Sequence, residues 1–578
     1  MSGTVFAQHS NKIVQDFLST VIVVDDQAFL DALERSAEPT EAKALKDPGR
    51  QAADKDETKL ERVDAQPKPS AAPSEEPSSQ SLTESSTASA HRLDGKQIID
   101  KFGEFGIVCS VIRPDKDEIP KLNDVVRAFA PVADVFIFDW VLFGDTTGAK
   151  TKELIRELVT SSSDSHNGRA RLIVVYTGEL DLAQVATDIS KELGSLNPQV
   201  TPDNFNIHLS GTGTRIAVYG KPSLNRTPEG TQRSLKPNEI PTAVIREFSE
   251  ISRGLLSNAA MASITAIRRN AYQLLSRFPP DLDPAFVTQS ILVCPERASE
   301  QIVPLIASEI GSILEDARIG DFLDTPPLKV WLEDRIARNA SHPPADSDLS
   351  KEQYRNGFDQ LLDLGIGKDE LLIIQKNHGQ FLTALHIGEK KKTAKILTNH
   401  LASSDFEKVG DSNLALLMSV RHMYEKAKPY LTLGTIISAT RMQETVEVTD
   451  YWVCLQPVCD GVRLKAKRFF PLLPLTPSSE TGESVIIVRD GAEVRLLLAK
   501  FNPFLIKMVE FAPIAQERVT AQERGATWSF TSIDGTEYKW ISELKPSHAQ
   551  RVAHQVSVAV SRIGLVESEW SRLAKPAS

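Results

Sequence analysis

At 578 residues the chain is long enough for about four domains at roughly 150 residues each. Hydrophobic residues make up 41% and charged residues 25%, an ordinary globular composition that excludes collagen-like and wholly disordered classes. Lys and Arg total 66 against 77 Asp and Glu, so the net charge of −11 gives the chain as a whole no attraction to nucleic acid or anionic membranes. The four cysteines (Cys109, Cys294, Cys454, Cys459) are too scattered for a disulfide scaffold and fit a reducing cytoplasm. No apolar run is long enough for a transmembrane helix, and no secretory signal pattern opens the chain.

A short helical pattern at 11–18 leads into Thr20–Val24, a β-branched run that reads as a buried strand ending in Asp25 and Asp26. From about 36 to 92 the chain is Ala, Glu, Lys, Pro, Ser and Thr with almost no large apolar residue. Such a stretch buries too little apolar area to offset its ordering entropy and reads as a disordered insertion. Helical patterns at 97–105, 119–129, 152–160 and 181–193 then alternate with strand-like runs at 107–112, 134–138, 171–176 and 215–219. This alternation predicts an α/β fold: a doubly wound, parallel, five-stranded sheet covered on both faces. The pattern is mostly helical from about 241 to 431, including 243–256, 260–275, 299–314 and 414–427. Strand-like runs at 451–455, 485–488, 493–498, 507–511, 527–532 and 537–541 follow, with a closing helix from about 546 to 563 that residues 567–573 extend. The expected domains are 1–240, a helical region 241–431 and a β-rich α+β domain 432–578.

Ligands of doubly wound sheets bind beyond the carboxyl ends of the strands. This chain places Asp25 and Asp26, Asp139, Thr177 and Lys221 there, each just past or at the end of its strand. Three converging carboxylates repel one another, and a hard divalent cation such as Mg²⁺ relieves the repulsion. With the metal in place, Asp139 is suited to attack a phosphoryl donor, while Lys221 and the Thr177 hydroxyl hold the phosphoryl oxygens.

The order Asp25-Asp26, Asp139, Thr177, Lys221-Pro222 resembles the receiver domain of two-component response regulators over about residues 15–240. The resemblance implies Asp139 as phosphoacceptor, Asp25, Asp26 and Asp139 with the Val141 carbonyl as ligands of Mg²⁺, Thr177 as switch hydroxyl and Lys221 as phosphate-binding cation. It also implies a histidine kinase or related ATPase as phosphodonor. The chain departs from the family pattern in its long insertion, in the bulky Trp140 beside the acceptor, which would narrow access, and in its aromatic residue. The family's switch aromatic lies three residues before the lysine, where this chain has Val218; Tyr219 follows it and points to the other face.

Other signals carry less. Gly211–Arg215 precedes a strand and opens no helix, unlike a dinucleotide loop. Cys454 and Cys459, five apart with no second ligand pair, make a poor zinc site. His548 and His554 lack ligand spacing, and Lys390, Lys391, Lys392 and Lys395 read as a solvated helix face. The expectation is a cytoplasmic, phosphorylation-controlled regulator or effector whose enzymatic activity goes no further than receiver phosphorylation and dephosphorylation. Its C-terminal region would mediate self-association or bind a protein partner, without membrane or nucleic-acid contact. A large chain without a clear DNA-binding module also resembles bacterial defence systems that borrow receiver domains. The alternatives are a phosphorylation-independent scaffold with a degenerate receiver and a DNA-binding transcriptional regulator.

Overall fold

A computed structural model describes residues 5–30, 92–164, 170–195, 200–209, 213–223 and 226–561, with short breaks at 252, 294, 339, 389, 405–406, 408–409, 425–426, 444–445, 463, 479–484, 492, 515–517 and 526. The expected insertion at 36–92 lies almost wholly outside these residues, as do the loop at 210–212 and the helical extension at 567–573. The chain divides into two compact units, Met1–Asp324 and Thr325–Ser578.

The first unit is built on a seven-stranded sheet. Its strands are β1 (Thr20–Val24), β4 (Val108–Ile112), β5 (Val135–Phe138), β6 (Arg171–Thr177), β7 (Val200–Asp203), β8 (Asn206–Leu209) and β9 (Thr214–Gly220), in the order β4-β1-β5-β6-β9-β8-β7. A two-residue parallel pair, β2 (Ala28–Phe29) with β3 (Leu93–Asp94), stands apart. The five expected strands are present and parallel. The hairpin β7–β8 extends this parallel five-stranded core by two antiparallel strands at the β9 edge. Its first strand includes a proline, which lacks a donor and weakens the strand signal.

Because β5, β6 and β9 are buried throughout and β1 from Val21 onward, their side chains alternate between two cores rather than between core and water. Ile22, Val24, Phe136, Phe138, Ile173, Val175, Ile216 and Val218 face the helices Ile119–Phe129, Ala149–Asp164 and Leu182–Gly194. Val21, Val23, Val135, Ile137, Leu172, Val174, Tyr176, Ala217 and Tyr219 face Val5–Phe17, Gly95–Glu104 and Ile240–Ser249. Local chemistry starts the helices: Asp94 accepts from the Gln97 amide at 3.0 Å and Asp181 from the Gln184 amide at 2.9 Å, each capping orphan N–H groups.

Several helices end earlier than their apolar spacing suggests. The helix expected at 243–256 stops at Ser249, and the next begins at Leu255, just after Gly254. The pattern at 260–275 spans two helices, Leu255–Arg269 and Ala271–Ser276, which meet at Asn270.

In the second unit the helices Thr325–Ala337, Lys351–Leu364 and Lys368–Ala384 enclose a core in which the rings of Tyr354, Phe358 and Phe381 meet edge-on. The helix expected at 414–427 ends at Ser419. A nine-stranded antiparallel sheet follows. Strand β12 (Arg468–Pro477) pairs with β15 (Lys507–Phe511) along its first half and with β14 (Glu493–Ala499) along its last. One face packs on the helix Pro546–Ser561, and the other encloses Cys454, Phe470, Phe511, Phe530 and Tyr538. Among the described residues no helix is long and apolar enough to cross a membrane.

Candidate functional site

Strand register brings the acids together. β1 pairs with β5 so that Val24 lies opposite Phe138; the next residue on each strand is Asp25 or Asp139. The order of the five parallel strands reverses between β1 and β5, the usual place for a ligand in an open α/β sheet. β6 pairs with β9 so that Thr177 lies opposite Gly220, and Lys221 follows immediately. The main chain of Asp139 is held at both ends. Its amide donates to Val24 O at 3.0 Å, and its carbonyl accepts from the Thr151 hydroxyl at 2.7 Å.

Asp139 and Lys221 are each 2% exposed and Asp25 is 1% exposed. The Lys221 ammonium donates to Asp25 Oδ2 at 2.9 Å and to Asp139 Oδ2 at 3.1 Å. Asp25 Oδ1 accepts from the Gln27 amide at 2.8 Å, and Asp26 Oδ2 from the Phe143 amide at 2.9 Å. Two carboxylate oxygens remain. Asp26 Oδ1 and Asp139 Oδ1 are buried and have no hydrogen-bond partner among the described residues. Ligand atoms of Asp25, Asp26 and Asp139 lie within 4.8 Å of one another. Two orphaned oxygens in a cluster of three hard oxygen donors fit Mg²⁺, which binds few carboxylates and keeps waters and phosphate oxygens as its other ligands.

The electrostatics follow from burial. Desolvation pushes the Asp139 carboxyl up to about 7; Lys221 opposes that rise, and Asp25 and Asp26 add to it. Burial also raises Asp26, against the Phe143 amide that stabilises its charge. For Lys221, burial acts to lower the value, but Asp25 and Asp139 outweigh it and the ammonium ends above its ordinary value.

Of the residues singled out from sequence, Asp25, Asp26, Asp139 and Lys221 form one cluster. Thr177 is fully buried at the end of the neighbouring strand, and its carbonyl accepts from the Lys221 amide at 2.7 Å. Its hydroxyl accepts from the Glu179 amide at 3.1 Å. Val141 is buried two residues past the acid.

Trp140 does not stand over the acid. It packs into the core, its indole N–H donates to Thr146 O at 3.1 Å, and its ring fills the space where a Cβ on Gly148 would come within 2.3 Å. Tyr219 faces away from Val218, as strand alternation predicts. Its hydroxyl donates to Glu247 and accepts from Arg246 at 2.8 Å. Cys109, Cys454 and Cys459 are free thiols.

Two residues at the site have no sequence signal of their own. Thr151 is an unremarked threonine in a helix, and Arg226 lies five residues past the lysine in a loop. Gly220 was the available clue to Arg226, since a glycine closing an apolar strand marks a close approach.

Residues 17–226 match the family model described as a response receiver domain. No curated protein and no solved structure matches the chain.

Proposed function

Taking residues 17–226 as a response receiver domain, and with it a phosphorylation-based signalling role, we propose that Asp139 accepts a phosphoryl group. The observation that carries this reading is the division of labour within one carboxylate. Asp139 Oδ2 is paired with Lys221, whereas Asp139 Oδ1 is buried, unpartnered and available as nucleophile. In the ionised form Oδ1 attacks the donor phosphorus. The bond from phosphorus to the donor's leaving atom breaks, and a mixed acyl phosphate forms on Asp139. With a phosphohistidine donor the leaving atom is an imidazole nitrogen, which takes a proton from solvent. Hydrolysis of the acyl phosphate restores the carboxylate.

Lys221 supports two stages of this scheme. Before transfer it holds the carboxylates of Asp25 and Asp139 side by side; after transfer its ammonium is within reach of the new phosphoryl oxygens. Thr177, at the end of the adjacent strand, is assigned to donate its hydroxyl to the same group. Asp25, Asp26, Asp139 and the Val141 carbonyl would hold Mg²⁺. When bound, the ion neutralises charge on the transferring phosphoryl oxygens.

The donor in this reading is a histidine kinase or a kinase-like ATPase, and the setting is the cytoplasm. A second reading, a scaffold that binds partners irrespective of phosphorylation, is favoured by one observation: Tyr219 is fastened to Glu247 and Arg246 on the face away from Val218. Incubating the full chain with acetyl phosphate and Mg²⁺ separates the two. Phosphoryl transfer predicts that the wild type gains one phosphoryl group and Asp139→Ala gains none. If a cognate kinase also leaves the wild type unlabelled, the scaffold reading takes its place.

A further inference from the structure

Arg226 is buried, only 9% exposed, and its hydrogen bonds in the interior go to neutral oxygens rather than to a carboxylate. Its guanidinium is fully used by these acceptors. Nε donates to Glu179 O at 3.1 Å; Nη2 donates to Thr177 O at 2.9 Å and Glu179 O at 2.7 Å; Nη1 donates to Ser234 Oγ at 2.8 Å and to Lys221 O. Those are five bonds from a group that has five N–H donors in a fixed planar fork. Burying a guanidinium costs free energy that such bonds must offset, so a hydrophobic side chain would stabilise the same loop more simply. What a hydrophobic side chain cannot do is hold three main-chain carbonyls from two strand ends in one plane.

Gly220 gives independent support. Its backbone is not in the left-handed region, so no conformational demand explains the glycine. The demand is for space: a Cβ there would lie 1.9 Å from Arg226 Nη1. The strand that leads to Lys221 therefore ends in a residue without a side chain, and the guanidinium fills the vacated position.

We propose that Arg226 is the positioning residue of the phosphoacceptor site: it clasps the carbonyls of Thr177 and Lys221 and so sets where the hydroxyl and the ammonium stand relative to Asp139. It touches neither the acids nor a phosphoryl group. This inference rests on the receiver reading given above and adds a residue to it. It separates the site into two halves. The acid half, Asp25, Asp26 and Asp139, is fixed by β1, β5 and Thr151; the cation-and-hydroxyl half is fixed by Arg226.

The test uses Arg226→Met, which keeps bulk and loses all donors, and Gly220→Ala, which displaces the guanidinium without altering it. Each variant should be labelled by acetyl phosphate on the order of tenfold more slowly or worse, as expected for misplacement of catalytic groups. Each should bind Mg²⁺ within about twofold of wild type, because the acid half is untouched. The double variant should be no slower than the slower single one, because both break the same clasp. Arg226→Lys, with three donors, should fall between. In hydrogen exchange, Arg226→Met should lose amide protection in peptides covering 177–179 and 220–222, but not at 21–24 or 135–139. Wild-type labelling rates in folded Arg226→Met would overturn the proposal. So would a loss of Mg²⁺ affinity in proportion to the loss of rate, which would mark a general structural role. If the wild type itself is never labelled, the receiver reading fails. The clasp is then judged by the exchange pattern alone, and unchanged protection overturns it.

Discussion

A single ammonium, 2.9 Å from Asp25 and 3.1 Å from Asp139, sits between two carboxylates that would otherwise repel each other in a nearly water-free pocket. Removing one partner of a buried ion pair leaves an uncompensated charge, at a cost of about 3 to 5 kcal/mol. Lys221→Met should therefore lower the urea midpoint of the first unit clearly in metal-free buffer. Mg²⁺ supplies a replacement charge, so it should raise the melting temperature more in Lys221→Met than in wild type, while labelling falls sharply. An unchanged urea midpoint would mean that the ammonium contributes nothing net. The acids and the lysine were legible in the sequence because each ends a β-branched or apolar run, and strand ends are where charge becomes tolerable. Arg226 was not legible: four of its five hydrogen bonds go to main-chain carbonyls, and carbonyl oxygens carry no side-chain pattern.

At the scale of elements, β9 is joined to the helix Ile240–Ser249 by one carboxylate. Glu247 accepts from Arg215 at 2.9 and 2.7 Å, from Arg233 at 2.9 Å and from Tyr219. Burial alone would raise its carboxyl, but Tyr219, Arg215 and Arg233 outweigh burial and hold it below the ordinary 4.5. A depressed folded value means that stability is fully present above 4.5 and is lost as pH falls through the folded value. Glu247→Gln should cost on the order of 3 kcal/mol at neutral pH. It should also flatten the loss of stability below that pH, as read by urea unfolding at several pH values. An equally steep acid slope in the variant would show that other carboxylates carry it. Tyr219 links the same network to the strand that leads to Lys221.

The alternation of helix and strand made the five parallel strands readable, because runs buried on both faces are continuous and apolar. The hairpin β7–β8 was harder, since it contains a proline and sits at a sheet edge. Strand β12 was harder still. Its prolines Pro471, Pro474 and Pro477 argue against a paired strand by lacking donors, yet they lie opposite Met508, Trp452 and Leu497 in the sheet. The expected ends of the helices ran past Ser249 and Ser419 because apolar spacing continues after the hydrogen-bonded turns stop.

For the whole molecule, the division at Asp324 has a thermodynamic consequence. The first unit holds two cores on either side of one sheet, and the second has three cores of its own. Each contains enough buried apolar surface to unfold cooperatively. Calorimetry of the full chain should show two transitions. Mg²⁺ should raise only one of them, since a ligand stabilises the unit that binds it, by about 2.7 kcal/mol at a hundredfold excess over Kd. Asp26→Asn should abolish that rise. A rise in both transitions would show that metal binding is not confined to the cluster of Asp25, Asp26 and Asp139.

The central claim is that Asp139 carries the phosphoryl group, and peptide mapping tests it most directly. The full chain is labelled with acetyl phosphate and Mg²⁺, reduced with borohydride to trap the acyl phosphate, digested and sequenced by mass spectrometry. The account predicts one modified aspartate, at position 139, absent when Mg²⁺ is withheld. Trapping at Asp25, Asp26 or another residue, or no trapping after exposure to a cognate kinase, would contradict it.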